Sequence, residues 1–438
     1  MADALLDDLL EWLRIPSIST GGGDPADLDR AAEWAAGKVR GAGGTAELVR
    51  VDGSNPIVVG ELRAADPDAP TVLIYGHYDV QGPGDPGLWT TPAFEPDIRD
   101  GRIWARGAAD DKGNFWPLLA AACALAQAGE LAVHVRVCCE GEEEAGSAGV
   151  IAWLRDDPIG ADAAIVFDSG MVDAQTPAVT VGLRGIVQTT FSVRTGARDM
   201  HSGLYGGAVL NALHVVHRML AAVAPDGEGR VREELRAGVA PVADAERASW
   251  ERLPPGADVL ADAGARETAP GAAREYYERT GAQPAVDINE IVGGEPRTVV
   301  PHTARATVSL RLAPGQDPAA MRRELERLLR DAAPEGAELA FHWHDAAPAL
   351  FGVDEPAIRL AADALERACG TPAAFVRSGG SIPIVAEFAA KGIPTIVTGF
   401  VLPDDAFHAP DESFSLRGLE LGERAGRELL RALAALPR

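Results

Sequence analysis

Short apolar runs that end in histidine or in acidic residues are the feature that most constrains the fold of this chain. The runs TVLIYG (71–76) and AAIVF (163–167) are followed directly by His77 and Asp168. Apolar runs of this length, bounded by Gly and Pro, are typical of buried parallel strands. In an open α/β sheet, ligands bind beyond the carboxyl ends of the strands. Residues far apart in the sequence are therefore expected to meet at one edge of one sheet.

Three further polar clusters follow the same pattern. The segment RIWARGAA leads into Asp110 and Asp111, the run HVRVCC (134–139) ends in EGEEE (140–144), and IPTIVTGF (393–400) is followed by His408. Two histidines and several carboxylates in one crevice indicate a site for divalent hydrolytic ions, most plausibly a pair. The local alternatives are a helix N-cap at either aspartate and an exposed acidic loop at the glutamates.

The glutamate cluster EGEEEAGS (140–147) places four carboxylates within five residues. Bound cations would relieve the repulsion between them, and one glutamate could remain unbound as a general base. Spacing alone leaves open which glutamate has which role. In GHYDV, Asp79 lies two residues after His77 and could fix the tautomer of its ring.

The amino-acid composition limits the kinds of partner that this protein could bind. The 438 residues are 47% hydrophobic, enough for a large core and two or three domains, and the formal net charge is −25. Nucleic acid and anionic membranes are disfavoured as partners, because phosphate binding needs clustered Lys and Arg. Four cysteines are too few for a disulfide framework, and we expect neither an export signal nor a membrane span. These features predict a cytoplasmic protein.

The order of the predicted elements indicates one domain interrupted by another. Residues 1–183 alternate helix and strand patterns, and the alternation returns over 350–438, which predicts a doubly wound α/β catalytic domain with a mainly parallel sheet. Residues 184–349 predict the order β-α-β-β-α-β, an inserted ferredoxin-like α+β lid or dimerisation domain. Within this insertion, residues 226–285 predict a helical excursion without evident chemistry.

The ordered set GHYDV, ARGAADDKG, EGEEEAGS, a strand-terminal Asp and a late His resembles the aminoacylase/carboxypeptidase G/dipeptidase family of co-catalytic zinc metallopeptidases. The residues of these motifs are most similar to those of the carnosinase and cytosolic nonspecific dipeptidase branch, and the resemblance covers nearly the whole chain. It implies cleavage of dipeptides or short peptides with two divalent ions per subunit, Zn²⁺ ahead of Mn²⁺ or Co²⁺. An N-acyl-amino-acid amidohydrolase with the same site is the alternative within the family. A non-catalytic metal- or peptide-binding module is the alternative outside it.

The resemblance also implies roles for the matched residues. Five of them match the metal ligands of the family: Asp110, which would bridge the ions, His77 and Asp168 on one ion, and Glu144 and His408 on the other. Glu143 would be the general base and Asp79 would orient His77. This register comes from aligning EGEEEAGS with the family's E-G-x-E-E-x-G-S. In such enzymes a water held by the ions gives its proton to the glutamate and attacks the scissile carbonyl.

Three more segments match family segments that contact substrate. DMHSG carries His201, which in the family donates to the reacting carbonyl oxygen, often from the partner subunit of a homodimer. RLAPGQ carries Arg311, which would hold the substrate carboxylate with its planar guanidinium. RSGGSIPI carries Gly380 and Ser381, whose loop would contribute backbone donors to the same end. A local turn or a surface ion pair is the alternative at these positions.

Overall fold

Helices and strands alternate along the first and last parts of the chain. The computed structural model describes residues 2–380 and 382–437. The helices are α1 (Ala2–Leu13), α2 (Pro25–Gly41), α3 (Lys112–Ala128), α4 (Ala148–Asp156), α5 (Ser202–Tyr205), α6 (Ala212–Val223), α7 (Asp244–Trp250), α8 (Gly256–Asp262), α9 (Pro318–Ala332), α10 (Pro356–Cys369), α11 (Pro383–Ala390) and α12 (Leu416–Ala432). The strands are β1 (Thr45–Val49), β2 (Ile57–Leu62), β3 (Thr71–His77), β4 (Asp97–Arg99), β5 (Arg102–Trp104), β6 (His134–Glu140), β7 (Ala163–Phe167), β8 (Ala178–Leu183), β9 (Gly185–Arg194), β10 (Met200–His201), β11 (Ala285–Gly293), β12 (Val299–Val300), β13 (Thr303–Leu312), β14 (Glu338–Ala346), β15 (Ala349–Leu350), β16 (Ala374–Ser378), β17 (Thr395–Thr398) and β18 (Ser413–Ser415).

The large sheet has the order β1-β2-β6-β3-β7-β17-β8-β15, with β16 beside β8. Its centre, β6-β3-β7-β17, is parallel, as the apolar runs predict. The outer pairs β1/β2, β2/β6, β8/β17 and β8/β15 are antiparallel. The loop between β1 and β2 (50–56) is too short for a parallel crossover, which needs a dozen or more residues. The predicted α/β class is confirmed, and its parallel part is the part that ends at the polar clusters.

Helices cover both faces of this sheet, as a doubly wound fold requires. On β3, a Cβ at Gly76 would come 2.3 Å from Phe115 of α3, so this glycine allows the close approach of that helix. The next residue back, Tyr75, faces the other way and makes a ring contact with Phe388 of α11. Helix α3 ends at Ala128, and the next residue, Gly129, adopts the left-handed conformation common at helix ends.

The small sheet has the order β11-β13-β9-β14 and is antiparallel throughout. Helices α6 and α9 pack on one face and share a separate core with it. This order, with its two helices, is the predicted ferredoxin-like arrangement. On β13, Val308 and Leu310 are buried in that core, whereas Arg311 belongs to the alternate set of side chains. The domain borders at 183/184 and 349/350 stay predictions.

The excursion of residues 226–285 reaches back to the large sheet. It contains α7, α8 and a π-helix, Glu278–Ala282. Glu246 of α7 forms an ion pair with Arg377 of β16 at 2.7 Å, and both side chains are buried. The backbone N of Phe375 donates to Ser249 Oγ at 2.7 Å. The excursion therefore joins the insertion to strand β16.

Membrane-spanning helices were also sought. Among residues 2–380 and 382–437, none of the helices has both the length and the apolar character that a membrane crossing requires.

Candidate metal centre

The parallel strands bring three of the polar clusters to one edge. His77, the last residue of β3, lies opposite Glu140, the last residue of β6. Strand β7 ends one residue before Asp168. The turn after β6 carries Glu143 and Glu144. These side chains lie beyond the carboxyl ends of neighbouring strands, where α/β sheets bind their ligands.

Asp110 lies at the centre of the cluster. Its Oδ1 is 3.0 Å from Nε2 of His77, and its Oδ2 is 2.9 Å from Nε2 of His408. Nε2 of His408 is also 3.1 Å from Oε2 of Glu144. Two groups of candidate ligands result, His77 with Asp110 and Asp168, and Asp110 with Glu144 and His408. The ligand atoms of each group lie within 4.8 Å of one another. One carboxylate thus belongs to both groups, which is the geometry a bridging ligand needs.

Both histidines are surrounded by carboxylates. Hydrogen bonds to Asp110 and Glu144 raise the pKa of His408 to about 10. Burial lowers the pKa of His77, but hydrogen bonds to Asp110 and Asp79 outweigh it, and the net shift is upward. The carboxylate oxygens that raise the pKa of both imidazoles are oxygens that a divalent cation could bind instead.

Two carboxylates of the cluster, Asp168 and Glu143, have raised pKa values. Burial raises the pKa of Asp168 well above its ordinary value, and the charge of Glu143 adds to the shift. Burial raises the pKa of Glu143 to about 7, with the charge of His77 opposing and the charges of Asp110 and Glu144 adding to the rise. Oε1 of Glu144 is buried without a hydrogen-bond partner among the described residues. Crowded carboxylates with an unsatisfied oxygen fit a pair of divalent ions.

Asp79 contacts both His77 and the turn that carries Glu143 and Glu144. Its Oδ1 and Oδ2 accept hydrogen bonds from the backbone N of Glu143 at 3.2 Å and of Glu144 at 3.1 Å. Oδ2 also accepts from Ser19 Oγ at 2.6 Å. Nδ1 of His77 lies 3.1 Å from the main-chain oxygen of Asp79 and 3.4 Å from its Oδ1. Asp79 is thus placed to hold the ring of His77, as predicted for it, and it also positions two neighbouring glutamates.

Asp111 and Gln81 also contact the cluster. The family resemblance assigned no role to either residue. Asp111, joined to Asp110 by a cis peptide bond, is buried and accepts a hydrogen bond from His77 N at 3.1 Å. It occupies the N-cap position of α3, as the N-cap alternative expects, but its side chain makes no cap hydrogen bond. Gln81 Nε2 donates to Glu144 Oε2 at 2.8 Å.

Glu412 is a further residue of the site that sequence reasoning missed. Its Oε1 accepts from the backbone N of Ala109 at 2.7 Å and of Asp110 at 3.0 Å, and its Oε2 accepts from Gly107 N at 3.1 Å. Oε2 also pairs with Arg106 Nη1 at 2.7 Å, with both side chains buried. Glu412 therefore holds the loop that carries Asp110. It lies 302 residues from Asp110, so no local pattern could signal this contact.

The loop that carries His408 has an unusual backbone. Ala406, His408 and Asp411 adopt φ values of 55°, 62° and 56°, in the left-handed region that non-glycine residues avoid. Each such residue costs on the order of 1–3 kcal/mol and persists where surrounding contacts hold it, often at functional sites. Here the backbone N and Oγ1 of Thr90 each donate to the carboxylate of Asp411 at 2.8 Å.

The predicted substrate residues are placed less closely around the cluster. His201 is exposed and precedes α5, where its Nδ1 accepts from Gly203 N at 3.0 Å, and it belongs to neither ligand group. Arg311 lies on β13 opposite Ala285 of β11. Gly380 N donates to Ser378 Oγ at 3.1 Å. The predicted Ser381 lies outside the described residues.

A cavity of about 440 Å³ opens beside the cluster, with Asp110 and Asp168 in its wall. Gly380 lines it on another side. Most of the remaining wall is apolar and includes Met171, Leu183, Ile382, Val401, Leu402 and Phe407. A cavity of this size, largely apolar with a few convergent polar groups, suits a small ligand.

Comparison with known proteins identifies the family. The sequence pattern of "Peptidase family M20/M25/M40" matches residues 73–432. This chain belongs to the M20 peptidases. It is 30% identical over 414 residues to the cysteinylglycine-S-conjugate dipeptidase of Corynebacterium striatum, covering 88% of this chain and 86% of that protein. It is 26% identical over 383 residues to the Beta-Ala-His dipeptidase of Homo sapiens, covering 82% of this chain and 74% of that protein.

A solved structure agrees with the sequence relatives. The M20 family metallo-carboxypeptidase Sso-CP2 from Sulfolobus solfataricus superimposes with a TM-score of 0.87 at 26% identity, over 99% of each chain. The M20 assignment confirms the predicted metallopeptidase, its dipeptidase-branch resemblance and its overall fold. The roles of the individual site residues stay predictions.

Proposed function

We propose that this M20 peptidase hydrolyses dipeptides or short peptides that carry a free C-terminal carboxylate, with two divalent ions per subunit. The observation that carries the proposal is the shared position of Asp110 in two groups of ligand atoms. The dipeptidase names of its relatives support the substrate class. Zn²⁺ is the ion we expect, since histidine nitrogen and carboxylate oxygen suit it, with Mn²⁺ and Co²⁺ as alternatives.

The proposed chemistry uses Glu143 as the proton carrier. Bound divalent ions would lower the pKa of a water and polarise the amide carbonyl. Glu143 would accept the proton of the attacking water on its carboxylate and pass it to the leaving amine nitrogen. Burial raises the pKa of Glu143, which makes its carboxylate a stronger proton acceptor than an exposed one. The hydrogen bonds from Glu143 N and Glu144 N to Asp79 would hold the proposed base, Glu143, and the proposed ligand, Glu144, in fixed positions relative to each other.

The substrate's carboxylate end is assigned to Arg311 and to the loop around Gly380, in keeping with the sequence prediction. Arg311 lies on the strand face that is not buried by α6 and α9. The cavity beside Asp110 extends to Gly380. A peptide with its carbonyl at Asp110 and its carboxylate near this loop would span that cavity.

We propose a homodimer formed through the inserted domain. Strand β11 is an edge of the small sheet and exposes three apolar side chains, Ile288, Ile291 and Val292, at 42%, 55% and 42%. An exposed apolar edge strand is a ready template for pairing with another chain. In such a dimer, His201 would donate to the reacting carbonyl oxygen of the partner's substrate, which accounts for its exposure here.

Replacing His201 with alanine is expected to leave metal content unchanged and to remove most activity. Mixing this variant with Asp110→Ala should restore part of the activity, because a hybrid dimer contains one site with both an intact metal centre and the partner's His201. Activity after mixing and sedimentation of the native protein are the measurements. A fully active monomer would exclude the arrangement across subunits.

Metal dependence and substrate class are tested in one assay. Activity should disappear in excess chelator and return with Zn²⁺ or Mn²⁺, with close to two ions per chain by elemental analysis. The reconstituted enzyme is then offered dipeptides, tripeptides and N-acyl amino acids. Turnover of dipeptides is the expected result. Turnover of N-acyl amino acids alone would replace the proposal with a deacylase, and full activity in chelator would end it.

A cytoplasmic location is also proposed. The four cysteines, Cys123, Cys138, Cys139 and Cys369, are free, and the first three are buried. Unpaired buried thiols are usual in a reducing compartment.

A further inference from the structure

Arg184 is a largely buried cation without an acidic partner. It lies between β8 and β9, where the chain passes from the large sheet to the small one. Its Nε is buried and has no hydrogen-bond partner among the described residues. Its Nη1 has one long contact, 3.5 Å to the main-chain oxygen of Arg279. A buried guanidinium nitrogen that lacks an acceptor is costly, so this side chain fits a site that a ligand completes.

A second arginine stands close to it. Burial lowers the pKa of Arg184 to about 10, and the positive charge of Arg311 adds to that effect, while the charge of Asp287 opposes it. Within residues 2–380 and 382–437, neither arginine has a carboxylate within 4.0 Å. Two adjacent, unpaired guanidinium groups form an attractive site for an anion.

The glycine loop at the cavity packs directly on Arg184. The backbone N of Arg184 donates to the main-chain oxygen of Ser378 at 3.1 Å. A Cβ at Gly379 would lie 3.1 Å from Nη2 of Arg184, so the absence of a side chain there leaves room for the guanidinium. Ser378 and Gly380, on either side of Gly379, line the cavity that contains Asp110. Arg184 therefore packs against the loop to which the substrate's carboxylate end is assigned, and its side chain lines a second cavity of about 470 Å³ together with Asp287.

We propose that Arg184 is a second substrate-binding cation, which joins Arg311 in holding the C-terminal carboxylate of the peptide. The inference rests on the proposed function and adds a residue to it. A carboxylate oxygen would supply the acceptor that Nε lacks and would separate the two like charges. A C-terminal amide keeps one acceptor oxygen, but it is neutral and its nitrogen presents N–H donors to the guanidinium groups, so it cannot offset the two like charges. The enzyme should therefore discriminate strongly between peptide acids and their amides.

The test compares the hydrolysis of one dipeptide with that of its C-terminal amide in three variants of the proposed site and one control variant. Arg184→Met and Arg311→Met should each lower kcat/KM for the acid by about 10- to 150-fold, with little change for the amide. Arg184→Lys should recover part of the loss, because it returns the charge without the planar fork. Arg305→Met is the matched control, since Arg305 lies on the same strand, is exposed and pairs with Glu290. It should behave as the native enzyme does.

Other outcomes decide against the inference. Equal losses on acid and amide, with a lowered Tm, would make Arg184 a structural residue, and an unchanged ratio of acid to amide would remove it from the site. If the native enzyme hydrolyses no peptide, the proposed function has failed, and calorimetric binding of Ala-Gly and its amide then tests the cation pair separately. A preference for the acid that Arg184→Met removes would uphold the pair. The absence of any preference would overturn it.

Discussion

Replacing Asp110 with asparagine is expected to remove both metal ions and to abolish peptide hydrolysis. The two oxygens of Asp110 face different histidines, at 3.0 and 2.9 Å, and the residue belongs to both groups of ligand atoms. An asparagine keeps the size of the side chain but loses the charge and one of the two oxygens. Metal content by elemental analysis and kcat for a dipeptide are the measurements.

Asp168→Asn is the matched comparison, because Asp168 belongs to one group only. It should weaken binding of one ion and leave the other in place. A protein with Asp110→Asn that retains two ions per chain would contradict the bridging role. Equal metal loss in both variants would indicate that the two ions bind only together.

Replacing Glu143 with glutamine should lower kcat by on the order of 10²–10⁴ while both ions remain bound. The substitution keeps the shape of the side chain and removes its ability to accept a proton. Burial raises the pKa of Glu143, with the charge of His77 opposing the rise, and a carboxylate with a raised pKa is a stronger proton acceptor. Turnover and metal content are measured on the same preparation.

The neighbouring glutamates supply the controls. Glu144→Gln should lose metal, since Oε2 of Glu144 lies 3.1 Å from His408. Glu142→Gln should change turnover little, because Glu142 accepts hydrogen bonds from Asn55 N at 2.7 Å and Gly149 N at 3.2 Å, away from the ligand atoms. If Glu143→Gln loses metal while Glu144→Gln retains it, the assignment is displaced by one residue.

Sequence reasoning succeeded where a functional residue follows a strand of the central sheet. His77 and Asp168 come at or directly after apolar runs, and parallel pairing of those runs determines where the side chains meet. The antiparallel direction of β2 beside β6 could not be predicted, because an apolar run carries no information on the direction of its neighbour. His201 illustrates a different limit, since only the family resemblance of DMHSG predicts its role, and within this chain its side chain accepts a local hydrogen bond from Gly203 N.

Residues held by distant parts of the chain could not be predicted. Glu412 binds the backbone of the Asp110 loop through contacts that only the folded chain creates. In the sequence, Arg184 is an ordinary charged residue between two strands. Only the folded structure shows that its Nε is buried and has no hydrogen-bond partner among the described residues. Sequence patterns report burial and periodicity, whereas the unsatisfied atoms of a site depend on three-dimensional surroundings.

The contact between α7 and β16 restricts how the two sheets can move against each other. The small sheet is joined to the large one by the crossings near Arg184 and near β15, and the excursion is joined to β16 by the buried pair of Glu246 and Arg377. Separating Glu246 from Arg377 would leave two buried charges without partners, at a cost of about 3–5 kcal/mol. Domain closure in this enzyme should therefore be a rotation whose axis passes close to Arg377, three residues from Gly380. The loop assigned to the substrate carboxylate would then be nearly stationary while the more distant parts of the small sheet travel furthest.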